Sequence, residues 1–228
     1  GSSSVTSPNT VISSRMTVFA GDILATDVKI NGHDAFGSTF DVTCPTVDGV
    51  TVAVNGVIAN GSRHAAALAV KINENTGTHG VTANAFNEVV ATMYAAGEVE
   101  INGTTVTSRA SIQEFVAAVN DEVANVNASI NADGFVVFSN DDGDSIGFSN
   151  SAPELGIADD VYAGFVKLTS NAPITIEAGT KTNGYAGDTG ETADVTDIGF
   201  NEIRDNTSGL GVKYTGSRAV DNTAISSA

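Results

Sequence analysis

The 228-residue chain has no tryptophan, one cysteine, four prolines and only ten lysines and arginines. Each scarcity removes a class of function. The single Cys44 cannot close an intramolecular disulfide and no CxxC metal pair exists, so packing must hold the fold together. Cys44 ends the alternating stretch Phe40-Asp41-Val42-Thr43-Cys44-Pro45 and reads as a buried thiol, since no histidine stands near it in sequence to activate it. No run approaches the roughly 18 apolar residues of a membrane-spanning helix, and no charged-then-apolar start resembles a signal peptide. The 27 aspartates and glutamates outweigh the cations to give a formal charge of -17 and a pI near 4.2. Such a field repels phosphate backbones and anionic headgroups, so neither nucleic acid nor membrane is expected as a partner. With 6% aromatics, a sugar-stacking cleft has little to be built from. What is present is 41% hydrophobic residues, enough for one large or two small cores.

Catalytic signatures are equally sparse. The three histidines, His33, His64 and His79, form no HExxH arrangement and are expected to be exposed and structural. Asn140-Asp141-Asp142-Gly143-Asp144 offers calcium-type oxygens but lacks the EF-hand glutamate six residues after the glycine, and reads as a solvated turn between two strands. Asp159-Asp160 and Asp188 are weaker still. There is no GxSxG elbow and no Walker loop, and the glycines scatter through turns. The expectation is a protein that is not an enzyme, with no catalytic, cofactor-binding or metal-ligating residue assigned and no cofactor.

Periodicity predicts two short helices. In 62–75, Ser62 stands as the cap and Ala65, Leu68, Ala69 and Ile72 share a face; in 110–121, Ser111-Ile112-Gln113-Glu114 forms a capping box ahead of Ile112, Phe115, Val116 and Val119. Strands are predicted at 50–54, 80–86, 88–94, 98–101, 125–130, 134–139 and 145–149. Residues 1–14 read as a lead-in, and Met16–Phe19 and Asp27–Ile30 as short strands. Residues 164–170 and 174–177 read as a hairpin, and 179–194 as a loop. Ile198-Gly199-Phe200 and Leu210–Tyr214 are expected to pair with the N-terminal strands. The class is α+β: mainly antiparallel β with two short helices, in duplicated strand-helix-strand-strand units.

The duplication is carried by a repeated signature. Val52-Ala53-Val54-Asn55-Gly56 leads through an alanine-rich helix to Ile72-Asn73; 47 positions on, Val99-Glu100-Ile101-Asn102-Gly103 leads to Val119-Asn120. The chain then resumes as Gly80-Val81-Thr82-Ala83 in one copy and Asn125-Val126-Asn127-Ala128 in the other, followed in the second by Gly134–Ser139, Asp144–Phe148 and Leu155-Gly156-Ile157. Val28-Lys29-Ile30-Asn31-Gly32 is a third strand-Asn-Gly element, with no helix at the repeat spacing. Asn-Gly after alternating apolar residues is a turn signal because both residues tolerate positive φ.

These elements resemble the flagellin "IN" motif, in which an Ile-Asn-Gly strand precedes a short helix ending in Ile-Asn and then a Gly-Val-x-Ala strand. Here Val54 stands for the family's Ile, and Asn125 for its Gly. The resemblance spans about residues 50–178. It implies scaffold roles for Ile30, Asn31, Gly32, Val54, Asn55, Gly56, Ile72, Asn73, Ile101, Asn102, Gly103, Val119 and Asn120. It also implies an extracellular place on the bacterial flagellum, in the variable outer domains of a flagellin, with neighbouring flagellin subunits as partners and O-glycans on Ser/Thr-rich loops such as 104–111. The same motif occurs in hook-associated and filament-cap proteins; a domain binding glycans or host protein is the alternative of a different class. The start at Gly1-Ser2-Ser3-Ser4 and the absence of long heptad-like stretches lead to the expectation of a middle fragment, monomeric or weakly associated by itself. The expected partition is N-terminal strands in 1–49 pairing with the C-terminal segment, IN-like units in 50–158, and a C-terminal β segment in 159–228.

Overall fold

The computed structural model describes residues 9–19, 21–41, 46–47, 50–51, 63–107, 109–179, 189–203 and 218–219. In chain order the elements are β1 (Thr10–Ile12), β2 (Val28–Ile30), β3 (His33–Asp34), β4 (Thr46–Val47), β5 (Val50–Thr51), α1 (His64–Asn73), α2 (Thr76–His79), β6 (Thr82–Val90), β7 (Val99–Ile101) and β8 (Thr104–Val106). They continue with α3 (Ile112–Glu122), β9 (Asn127–Ile130), β10 (Val136–Asn140), β11 (Ile146–Ser149), α4 (Ala152–Leu155), β12 (Asp160–Tyr162), β13 (Phe165–Thr169), β14 (Ile176–Ala178), α5 (Thr189–Asp197) and β15 (Arg218–Ala219). The class is α+β and mainly antiparallel β.

Among the described residues the largest sheet has the order β15-β1-β13-β6-β10-β9. Smaller sheets are β12-β11-β7-β8, β14-β2-β3 and the pair β4-β5. Strand β6 is the spine. Its first half pairs with β13, from Thr82 opposite Thr169 to Phe86 opposite Phe165, and its second half pairs with β10, from Asn87 opposite Asn140 to Val90 opposite Val137. The inward residues change company along it: Ala83 belongs to one apolar core and Val89 to another. Between them Asn87 is buried, at 1% exposure.

The two cores are built on one plan. In the first, the β2–β3 hairpin, α1, β6, β13 and β14 enclose Val28, Ile30, Leu68, Ile72, Val166 and Ile176. In the second, β7–β8, α3, β9, β10 and β11 enclose Ile101, Phe115, Val119, Val136, Phe138 and Phe148. The pairings correspond: β14 lies on β2 as β11 lies on β7, and β13 lies on β6 as β10 lies on β9, all antiparallel. The second unit is therefore nested inside the first, leaving midway along β6 at Asn87 and returning into β13. The expected boundaries run consecutively along the chain, whereas the two cores do not.

Several local expectations are corrected. Where two strands, 80–86 and 88–94, are expected, there is one, β6 (Thr82–Val90), whose inward residues Ala83, Asn87 and Val89 run across both cores. Strands β13 and β14 lie in different sheets instead of forming a hairpin, since Ile176 pairs with Ile30. Residues 10–12, placed in the lead-in, are β1, paired with β13 and β15, while Met16–Phe19 is not a strand. Helix α5 occupies the end of the stretch read as a loop, and α2 and α4 add single turns. Ile203 bridges Ile176, and Ile198 and Phe200 are buried in the first core; Leu210–Tyr214 lies outside the described residues. Helix α1 buries more than one face, His64 to Ala69 together with Lys71 and Ile72, because alanines let both β6 and the β4–β5 pair approach closely.

Candidate functional site

Four asparagines occupy matched positions, and their side chains show what the repeated signature does. At the end of α1 the Asn73 amide donates from Nδ2 to the Ala83 carbonyl at 2.8 Å and accepts from the Ala83 N–H at 2.8 Å. At the end of α3, Asn120 makes the same two bonds to Ala128, at 3.0 and 2.6 Å. Among the described residues neither alanine has a strand partner on that side: β6 meets β10 only from Asn87 onward, and β9 is the last strand of its sheet. The helix-terminal asparagine thus covers one exposed edge residue in each unit, satisfying backbone groups that would otherwise invite another strand. In both copies the chain returning to the strand passes through a left-handed residue, Gly80 at φ 76° and Asn125 at φ 56°. Asparagine can stand where glycine is usual because its short polar side chain tolerates this region.

The hairpin asparagines match as well. Asn31 and Gly32 have φ 51° and 78°, Asn102 and Gly103 have 50° and 79°, the positive pair that a tight two-residue hairpin demands. Asn31 donates its N–H to the Thr175 carbonyl and accepts the Thr175 N–H on Oδ1, at 3.0 and 2.8 Å. Asn102 does the same with Gly147, at 2.9 and 2.8 Å. The turn equivalent to Asn102-Gly103 is therefore Asn31-Gly32; a longer connection through β4 and β5 separates it from its helix. Ile30, Ile72, Ile101 and Val119 are buried beside these asparagines. Val54, Asn55, Gly56, Ser62 and Cys44 lie outside the described residues.

Each matched asparagine serves its own unit. A second polar cluster sits where the inserted unit leaves and returns. Asn87 donates to the carbonyls of Asp144 and Tyr162 at 2.9 and 2.8 Å and accepts from Arg15 Nη1 at 2.8 Å. Arg15 also donates to the Ala163 and Glu88 carbonyls, at 2.6 and 2.8 Å, and its guanidinium lies 4.5 Å from the Phe165 ring centroid. One arginine in the N-terminal segment, between the core residues Val11 and Met16, thus binds both sides of the junction. Nearby, Arg63 Nε meets Asp144 Oδ1 at 2.7 Å, joining the start of α1 to the β10–β11 connection. Burial pushes the Asp144 carboxyl up, against the pull of Arg63.

The chain matches no protein-family model and no curated protein. The geometry of its own residues therefore carries the functional argument.

The Asn140–Asp144 connection is less solvated than expected: Asn140 and Gly143 are buried, and Asn140 bonds the Asp144 carbonyl and the Gly143 N–H. Asn125 Nδ2 lies 3.0 Å from both Asp142 and Asp144, at the rim of an open acidic groove of about 730 Å³. No group of three or more His, Cys, Asp or Glu side chains converges as a metal site among the described residues. Asp159 accepts from the Ser151 backbone N–H at 2.9 Å, which holds its carboxyl below the usual range and anchors the start of α4.

His64 and His79 depart from expectation, with exposures of 1% and 3%. His64 lies against Phe19, ring centroids 5.5 Å apart, with neither nitrogen hydrogen-bonded among the described residues. Burial lowers its pKa, and that of His79. Arg15 and Asn87 are the residues that sequence reasoning did not single out. Nothing in their spacing marks them, since their partners lie in other segments.

Proposed function

We propose that the chain is a structural, non-enzymatic domain of the bacterial flagellar filament, corresponding to the outer domains of a flagellin and displayed outside the cell. The observation that carries this reading is the pairing of β1 with β15, Val11 opposite Ala219 and Ile12 opposite Arg218. The two ends of the domain run side by side, as an insertion needs if it is to leave a filament-forming core and re-enter it at neighbouring points. The paired IN-type asparagines support it further, since Asn31, Asn73, Asn102 and Asn120 each bond the backbone of their own unit as scaffold. The acidic surface suits a domain that meets solvent and touches neighbouring subunits without nonspecific adhesion. O-glycans on the Ser/Thr-rich stretch 104–111 belong to the same proposal.

The test is immunogold labelling of intact source cells with antibodies raised against this chain, followed by mass spectrometry of sheared appendages. Labelling along the filament length is the expected result. Labelling confined to the hook junction or the tip would assign the chain to a hook-associated or cap protein. Gold over the cell body with none on filaments would overturn the flagellar reading in favour of an adhesin.

A further inference from the structure

The outer unit holds a histidine in a bonding pattern that tolerates only its neutral form. His79, the last residue of α2, accepts the Val81 N–H on Nδ1 at 3.1 Å, so Nδ1 carries no proton. Its Nε2 lies 3.1 Å from the Ile72 carbonyl and must donate the ring's one hydrogen there. The residue's own carbonyl accepts from Asn31 Nδ2 at 2.9 Å. The ring thus ties the end of α1 to the entrance of β6, and the backbone carbonyl of the same residue holds the β2–β3 turn, so His79 joins three parts of the IN-type scaffold. A second proton would sit on Nδ1 and point N–H against N–H.

We propose that His79 is an acid-sensitive latch of the outer unit: proton uptake at Nδ1 breaks the bond from Val81 and frees α2 and the β2–β3 turn, while the inserted unit stays folded. The selectivity follows from the sequence, because His33, His64 and His79 are the only histidines and all precede the inserted unit.

The surroundings offer the added proton little help. From β3, His33 contributes a like charge when protonated, and the Ala35 carbonyl favours a donor on the ring. Asp34 is paired across the hairpin with Lys29, and Glu74 beyond α1 is paired with Lys71. The strand entrance at Val81-Thr82 brings no charge, and the turn contributes Asn31 and Gly32. Burial pushes the His79 pKa below its ordinary value, so the sign is fixed. The unfolded ring, titrating near 6.5, takes up its proton first, and the stability present above that pH is lost as pH falls toward the folded value. Carboxylates, with ordinary values near 4, mostly titrate lower.

The experiment is amide hydrogen exchange on the full chain between pH 7 and 4.5, corrected for intrinsic rates, with His79 ring titration followed by NMR. His64→Leu removes the other buried imidazole. His79→Asn leaves an oxygen acceptor near the Nδ1 position that does not titrate. The expected result in wild type and His64→Leu is that protection at the Val81 amide falls up to about tenfold per pH unit below the unfolded histidine's pKa, one proton's linkage. Ala128 in the inserted unit should hold its protection, and His79→Asn should flatten the Val81 profile. The proposal is overturned if Val81 protection is flat while His79 titrates in the wild type, if His64→Leu abolishes the fall, or if both units lose protection together. The wild-type and His64→Leu profiles decide the matter even if His79→Asn does not fold.

Discussion

Replacing Phe115 by alanine should unfold the inserted unit selectively. The ring is 1% exposed beneath the sheet and sits in an aromatic row, 5.3 Å from Tyr94 and 6.3 Å edge-on from Phe138, which in turn lies 5.1 Å from Phe148. Truncating a buried phenylalanine costs about 3–5 kcal/mol, and two broken ring contacts favour the upper half of that range. For the roughly 75 residues between Asn87 and Ala163, marginal stability amounts to about 4–11 kcal/mol. The substitution therefore removes a third or more of what holds that unit. Gln113, two residues earlier on the exposed side of the helix, should tolerate alanine within about 0.5 kcal/mol. Without tryptophan, tyrosine emission is the fluorescent probe, and Tyr94 and Tyr162 both pack against the inserted core. Urea titrations should show a Phe115→Ala transition at lower denaturant by tyrosine emission, with the far-ultraviolet signal splitting into two steps as the outer unit persists. Equal and small effects of Phe115→Ala and Gln113→Ala would refute the packing of α3 described above, and a single transition for Phe115→Ala would refute the separateness of the cores.

The asparagine clamps should be interchangeable in energy: Asn73→Ala and Asn120→Ala each lose two bonds to a partly exposed strand edge, and each should cost about 1–2 kcal/mol in denaturant midpoints. A double substitution should be additive, since the sites serve different cores. Arg15→Ala leaves the Asn87 acceptor and two junction carbonyls without their donor and should cost on the order of 2–3 kcal/mol, with amide exchange rising first at Glu88 and Phe165. A fragment of residues 87–163 should show a cooperative melt by circular dichroism. One beginning at Val99 should be weaker, because β10 loses its β6 partner and the core loses Val89 and Ala91.

What the sequence determined by itself is the local chemistry. Both helices stand within two residues of where their 3.6-residue periodicity puts them, and Ser111 accepts the Glu114 N–H as its cap. The Asn-Gly turns and the correspondence of Gly80-Val81-Thr82-Ala83 with Asn125-Val126-Asn127-Ala128 were legible because φ preference and side-chain hydrogen bonding act over a few residues. Tertiary structure alone decided which pieces belong together. The strand β6 serves two cores, β13 and β14 separate into different sheets, and the structural counterpart of Asn102 is Asn31, because pairing across an insertion leaves no fixed spacing to read. The same holds for polar burial: His64, His79 and Asn87 sit inside only because segments distant in sequence close over them, and Arg15 has a role only once both strands of the junction pass beside it.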